Sequence, residues 1–152
     1  MSLFRPTLSD GDRLDVGGAA VREEVERVRE AASARIAHYA LPAEPESLVW
    51  NHAAPATFIV STDDGHVLAY DCRSPDKALW AVKAHDQAVT CVALSGAASG
   101  LLATSSLDKS VKLWDVAALE AGGGAPITRK SMSIGQIFNV SFFPNNPYLL
   151  AA

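Results

Sequence analysis

At 152 residues the chain has room for one domain of ordinary size, and 49% apolar with 20% charged residues marks a folded polypeptide rather than a disordered one. A net charge of −4, a pI near 5.5 and the absence of any Lys/Arg block give no electrostatic basis for a phosphate backbone as partner, so no direct nucleic-acid contact is predicted. Met1 to Pro6 lack the apolar core of a signal peptide and no apolar run approaches bilayer length, which predicts an intracellular chain without membrane association.

Residues 1–46 carry fifteen of the thirty charged side chains and little that reads as strand. Within them Val21, Val25, Val28, Ala32 and Ile36 recur at helical intervals and predict one apolar stripe of an α-helix, with Glu23 and Arg27 as an i,i+4 pair on the opposite side. Gly17 and Gly18 precede the segment, and Pro42 and Pro45 stop it. The stripe is narrow and made of small residues. It is therefore read as a solvated extension over 1–45 rather than a docked helix.

From Ser47 the texture changes to short β-rich runs: 48–50, 58–62, 67–70, 79–82, 89–94, 101–105 and 111–114. Many alternate apolar with small or polar residues, as half-buried antiparallel strands do. Asp63-Asp64-Gly65 is a tight hairpin turn, and Leu107-Asp108-Lys109 holds the equivalent place later. Cys72 and Cys91 form no CxxC or metal pair and are expected to be two buried thiols of a reducing compartment.

The runs are periodic. Val67 to Asp71 aligns with Val111 to Asp115 at an offset of 44 residues, and Asp64 with Asp108 at the same offset. A third start, Ile137 to Pro144, matches Val89 onward at an offset of 48, the extra residues being lodged in the flexible run Gly122 to Gly124. A period in the mid-forties with four strands per unit is that of a propeller blade.

Residues 85–115, HDQAVTCVALSGAASGLLATSSLDKSVKLWD, resemble a WD repeat: a His ahead of the first strand, a small-residue strand, an Asp in the next hairpin and a closing Trp-Asp. The resemblance covers 46–152 and implies an all-β fold. The expected architecture is a partial WD-repeat β-propeller with an N-terminal α-helical extension. It has two four-stranded antiparallel blades, 46–83 and 85–132, plus the start of a third, 134–152. It further implies a hydrogen-bond chain through His85, Thr104, Asp108 and Trp114, in which Asp orients the imidazole, the hydroxyl bridges and the indole N–H is satisfied. The first unit departs from the pattern: Tyr70 replaces Trp, Val60 replaces Thr, and no matching His precedes its first strand, so this blade rests on packing.

His85, Thr104 and Asp108 are also residue types of a nucleophilic triad, but no GxSxG elbow accompanies them and a structural chain accounts for all three, so no enzyme is predicted. His52 and His66 stand apart from acidic residues at ligand spacing. The Asp63 turn lacks the later ligands of a calcium loop, and Gly122 to Gly124 carry no phosphate-binding Lys. No metal, cofactor or small molecule is therefore expected.

Propellers bind on the end formed by lead-in loops and hairpin tips, which here presents Asp63, His66, Lys83, Asp86, Gln87, Leu107 and Lys109; Trp80, on an outer strand, is either a further candidate or partly buried against the neighbouring strand. The run from Leu48 to Val89, with Trp50-Asn51-His52 and Ser61 to Gly65, and the later SSLDKSVKLWDV and NVSFFPNNPYLLAA resemble the C-terminal propeller region of the periodic tryptophan protein 1 family. That resemblance implies a non-enzymatic scaffold binding other proteins of pre-ribosomal or chromatin-associated complexes in ribosome biogenesis and rRNA processing. It implies a nuclear or nucleolar location, with the cytoplasm as the alternative place. A different class of function is a substrate receptor of a cullin-type ubiquitin ligase, since Tyr70-Asp71-Cys72-Arg73 resembles the Trp-Asp-x-Arg box of such receptors. A closed propeller takes roughly four to eight blades. The chain is therefore expected to be a piece of a larger ring, ahead of a ring shared between copies or a small stack of sheets.

Overall fold

The computed structural model describes residues 21–27, 39–133, 135–144 and 146–152. The chain divides into two compact units, one ending at Ala37 and one running from His38 to Ala152. In the first, helix α1 spans residues 21–27 and is exposed along its length. Arg27 pairs there with Glu24 at 3.7 Å, one turn away, instead of the expected Glu23. Val21 and Val25, the first two members of the apolar stripe, face solvent. Val28, Ala32 and Ile36 lie outside the described residues.

The second unit holds β1 (Pro45–Trp50), β2 (Thr57–Thr62), β3 (His66–Asp71) and β4 (Trp80–Lys83) as one antiparallel sheet in chain order. β5 (Val89–Leu94), β6 (Leu101–Ser106), β7 (Ser110–Asp115) and β8 (Thr128–Ser131) form a second such sheet, and β9 (Ser141–Phe143) pairs with β10 (Asn146–Ala151) in a third. These are two propeller blades and two strands of another. The first two match in register as well as in order. Phe58 opposes Tyr70 as Leu102 opposes Trp114, and the first strand of each sheet bulges at the same place, between Pro45 and Ser47 and between Val89 and Cys91.

Because side chains alternate across a strand, each blade presents two buried faces. Ile59, Val67, Ala69 and Trp80 of the first blade meet Val89, Val92, Leu102 and Trp114 of the second in one apolar core. Ala103 and Val111, on the far face of the second blade, meet Ile137 and Val140. Polar groups also link successive units: Val92 N–H donates to Ser47 Oγ at 3.3 Å, and Cys91 Sγ donates to Asn139 Oδ1 at 3.2 Å.

Three local features depart from the sequence reading. Helix α2 (Val116–Glu120) follows β7, capped by the Asp115 carboxylate accepting from Ala117 N–H at 2.9 Å. Asp71 makes the same contact to Arg73 N–H at 2.9 Å, but Ser74-Pro75 after it leaves only a turn, whereas Val-Ala-Ala-Leu-Glu continues as helix. Gly122, at φ +86°, ends α2 by donating to Leu119 O, so the glycine run begins as a helix stop. In the third unit strand pairing begins at Ser141, opposite Ala151 of β10, rather than at Ile137. Residues Ile137 and Val140 still pack, and Ile137 O accepts from the Thr90 hydroxyl at 2.6 Å.

The thiols also differ from expectation: Cys72 is exposed, because it follows β3 in a turn, and Cys91 is half-buried beside Asn139. Trp80 is buried in the inter-blade core rather than exposed on its outer strand, and its indole N–H has no partner among the described residues.

Candidate functional site: a buried polar relay beneath an exposed loop end

The second blade brings its four polar residues together. His85 lies in the connection from β4 to β5, Thr104 in the middle of β6, Asp108 at the β6–β7 hairpin tip and Trp114 near the end of β7. His85 Nδ1 is 2.9 Å from Asp108 Oδ2 and its Nε2 is 2.8 Å from Thr104 Oγ1, which also accepts from Trp114 Nε1 at 3.0 Å. The protons can be assigned by elimination. An indole only donates, so Thr104 accepts from Trp114; a carboxylate only accepts, so His85 Nδ1 carries hydrogen toward Asp108. The Thr104 hydroxyl then donates to the bare Nε2, and every group is satisfied with a neutral imidazole.

The electrostatics agree with that tautomer. Burial pushes the His85 imidazole below its ordinary value of 6.5, outweighing the opposing pull of Asp108. Burial alone would raise the Asp108 carboxyl, but the Ser110 hydroxyl and His85 outweigh it and hold the group below its ordinary 3.8. Thr104 is fully buried with its hydroxyl committed at both ends. It therefore lacks the exposure that a nucleophile needs.

Three further residues complete the relay and were not singled out in the sequence. Ser110 donates from its hydroxyl to Asp108 Oδ1 at 2.6 Å and from its backbone N–H to the same oxygen at 2.9 Å. Ser106 Oγ accepts from Asp108 N–H at 3.1 Å, and Lys112 Nζ donates to Ala84 O at 2.5 Å while lying 5.9 Å from the centre of the Trp114 ring. The two serines sit two residues to either side of Asp108, a spacing at which short side chains bond a turn's own backbone.

The first blade answers the same positions with apolar groups. Leu41, Val60 and Tyr70 stand 44 residues before His85, Thr104 and Trp114, and they pack with Phe58, Leu68 and Tyr39. Tyr39 meets Phe58 edge-on at 5.0 Å, Phe58 stacks on Tyr70 at 5.7 Å, and the Tyr70 hydroxyl donates to Ala40 O at 3.0 Å. Asp64 keeps only its local turn, accepting from the Thr62 hydroxyl at 2.6 Å and pairing with His66 Nδ1 at 2.9 Å.

The expected binding-surface residues lie at one end of the two blades, on the β2–β3 tip, the β4–β5 connection and the β6–β7 tip. Asp63, Lys83, Asp86, Gln87 and Lys109 are exposed, while His66 and Leu107 are half-buried. The end is rigid because each tip is tied to the connection beside it. Gly65 O accepts from Ala84 N–H and His85 N–H, Lys83 Nζ donates to Asp64 O, and Leu107 N–H donates to Ala88 O at 3.2 Å. A Cβ at Gly65 would come within 2.3 Å of His85 O and its φ is +91°, so only glycine fits this approach. On the opposite end Arg73 is exposed and forks onto Asp71 at 2.9 and 2.5 Å, holding that carboxyl down at about 2 through its hydrogen bonds.

Residues 76–115 match the family described as WD domain, G-beta repeat. Those residues are thus a WD repeat. The chain is 31% identical over 108 residues to the periodic tryptophan protein 1 homolog of Drosophila melanogaster, which covers 71% of this chain and 23% of that protein. A WD repeat-containing protein of Schizosaccharomyces pombe, named as uncharacterized, is 27% identical over 104 residues, covering 68% of this chain and 20% of its own length. DNA damage-binding protein 2 of Mus musculus is 37% identical over 65 residues, 42% of this chain and 15% of that protein. The chain thus spans about a fifth of the length of the curated relatives it matches. The WD repeat of residues 76–115 contains His85, Thr104, Asp108 and Trp114.

Proposed function

We propose that this WD-repeat chain is a non-enzymatic scaffold. Its rigid end, carrying Asp63, His66, Lys83, Asp86, Gln87, Leu107 and Lys109, docks proteins of pre-ribosomal particles in the nucleus or nucleolus. The observation that carries the scaffold role is the use of every triad-like side chain inside a buried relay, which leaves that end as rigid surface with mixed charge. Mixed charges on a fixed frame suit protein partners, where complementarity sets specificity and on-rate. Support for the ribosomal context comes from the likeness to the Drosophila periodic tryptophan protein 1 homolog. In this proposal residues 1–45 are an extension and 46–152 the propeller portion.

The ligase-receptor alternative predicts a different surface, since Arg73 lies on the end opposite the hairpin tips. Tagged chain run on a gradient of nuclear extract should co-sediment with pre-ribosomal particles. Reversing Lys83 and Lys109 to Glu should release it, and Arg73→Ala should not. Chain that stays with free protein, or that Arg73→Ala alone detaches from a ligase adaptor in pull-down, would overturn the ribosomal scaffold.

A further inference from the structure

The outermost strand of the second blade, β8, is exposed at all four of its residues and contains no apolar side chain. Its counterpart in the first blade is shielded: α2 packs on β4, and Trp80 lies in the core with Val116 and Leu119. What fixes β8 is its ladder to β7. That ladder also decides which backbone groups stay free. Met132 N–H donates to Lys109 O at 2.8 Å, and inward and outward groups alternate along an antiparallel edge strand. Thr128 and Lys130 therefore turn their backbone groups toward β7, while those of Arg129 and Ser131 point outward along an edge that no other strand pairs with.

The side-chain charge on this edge has one sign. Lys112 and Arg129 stand directly opposite each other on one face, and Lys130 projects from the other face, opposite Val111. Like charges facing each other across a ladder destabilise it. Lys112 is half-buried, with its Nζ 2.5 Å from Ala84 O and 5.9 Å from the centre of the Trp114 ring. Neither neighbour is a counter-ion, and Lys112, Arg129 and Lys130 make no ion pair among the described residues. Uncompensated cations thus gather on one edge of a chain whose net charge is −4.

We propose that the free edge of β8 receives an extended acidic segment of a protein partner, which adds a strand to the four-stranded second blade. The partner's backbone pairs with the outward N–H and C=O groups of Arg129 and Ser131. Two consecutive acidic residues, pointing to opposite faces, meet the Lys112–Arg129 rung on one side and Lys130 on the other. Charged side chains on an edge ordinarily keep other strands away. Here the charge is of one sign only, so basic strands are repelled and acidic ones attracted. A nucleic acid fits less well, because a phosphate backbone has no N–H and C=O groups to continue the ladder. The inference does not rest on the ribosomal scaffold proposal, since Lys112, Arg129 and Lys130 lie outside the surface invoked there.

The test titrates the full chain at low ionic strength with acetyl-Thr-Val-Glu-Glu-Val-Thr-amide and with its Gln-Gln counterpart, while backbone amides are followed by NMR. The acidic peptide should shift the Arg129, Lys130 and Ser131 signals saturably at millimolar concentration, with the neutral peptide at least several-fold weaker. At saturation, hydrogen exchange at the outward Arg129 and Ser131 amides should slow several-fold, which a salt contact without strand pairing would not produce. The double variant Arg129→Glu with Lys130→Glu keeps the inner ladder and removes the like-charge rung. It should lose the acidic peptide and instead take up the Lys-Lys counterpart at the same residues. Equal binding of acidic and neutral peptides, no binding of either, unchanged exchange at the two outward amides, a double variant that still prefers the acidic peptide, or an oligothymidylate that binds these residues more tightly would each overturn the assignment.

Discussion

The two complete blades share strand order, register, bulge position and capping turns, yet they fill the same three internal positions in opposite ways. The second blade places His85, Thr104 and Trp114 in a chain of hydrogen bonds, and the first places Leu41, Val60 and Tyr70 in an apolar and aromatic cluster. Either solution is complete in itself. A buried donor or acceptor without its partner costs about 1–3 kcal/mol, while replacing both members of a pair by apolar groups of similar shape can be nearly neutral. The blade frame thus tolerates either set as a whole and penalises mixtures of the two.

Mixing the sets is the direct way to break this comparison. The largest effect is expected from Trp114→Ala, which removes both the ring from the inter-blade core and the relay's last donor, and should cost about 3–5 kcal/mol in urea unfolding. Next, Thr104→Val strands His85 Nε2 and Trp114 Nε1 together and should cost about 2–4 kcal/mol. Its mirror image, Val60→Thr, buries one lone hydroxyl and should cost about 1–3 kcal/mol. Equal, negligible losses for these two would mean that the polar and apolar sets are interchangeable residue by residue. A double variant, His85→Leu with Thr104→Val, should lose clearly less than the two single losses added together, as a double-mutant cycle would register.

Asp108→Ala should cost about 1–3 kcal/mol, because it leaves His85 Nδ1–H and the Ser110 hydroxyl without their acceptor. Unchanged melting would count against the relay. The acid response sharpens the same point. His85 has a folded pKa below its unfolded 6.5, so between those values the unfolded chain binds more protons and stability falls as pH drops through about 6.5. Asp108, also depressed, adds a further loss as pH falls below its unfolded value near 3.8. The urea midpoint should therefore begin to fall from about pH 6.5, and His85→Gln should remove that first step. The smallest effect is expected from Tyr70→Phe, about 1 kcal/mol or less by thermal melting, since it deletes one hydrogen bond to Ala40 O and leaves the aromatic cluster in place.

Much of the fold was legible because strand alternation and turn chemistry are local. Runs such as Phe58 to Thr62 and Val89 to Leu94 announce themselves by residue type, and the 44-residue offset aligns Asp64 with Asp108 directly. The members of the relay were legible through the resemblance of residues 85–115 to a WD repeat, since of the four only Asp108 has its counterpart, Asp64, in the first unit. Ser110 and Ser106 were harder to single out, because a serine beside a hairpin tip has the same appearance whether it braces a carboxylate or faces water. Helix α2 was hidden for a different reason: five residues are too few for a periodic pattern, and only the Asp115 cap and the glycine stop mark its ends.

Sequence alone determined the strands, their repeat and which residue types occupy the polar positions of the second blade, since each of these depends on near neighbours or on a fixed period. Tertiary structure decided what crosses between elements: that Leu41 stands in the place of a histidine beside Tyr70, and that Trp80 is buried in the core between the two blades. Such outcomes depend on which faces of separate strands meet. No local pattern carries that information, because the free energy of burial belongs to the pair of surfaces and not to either one.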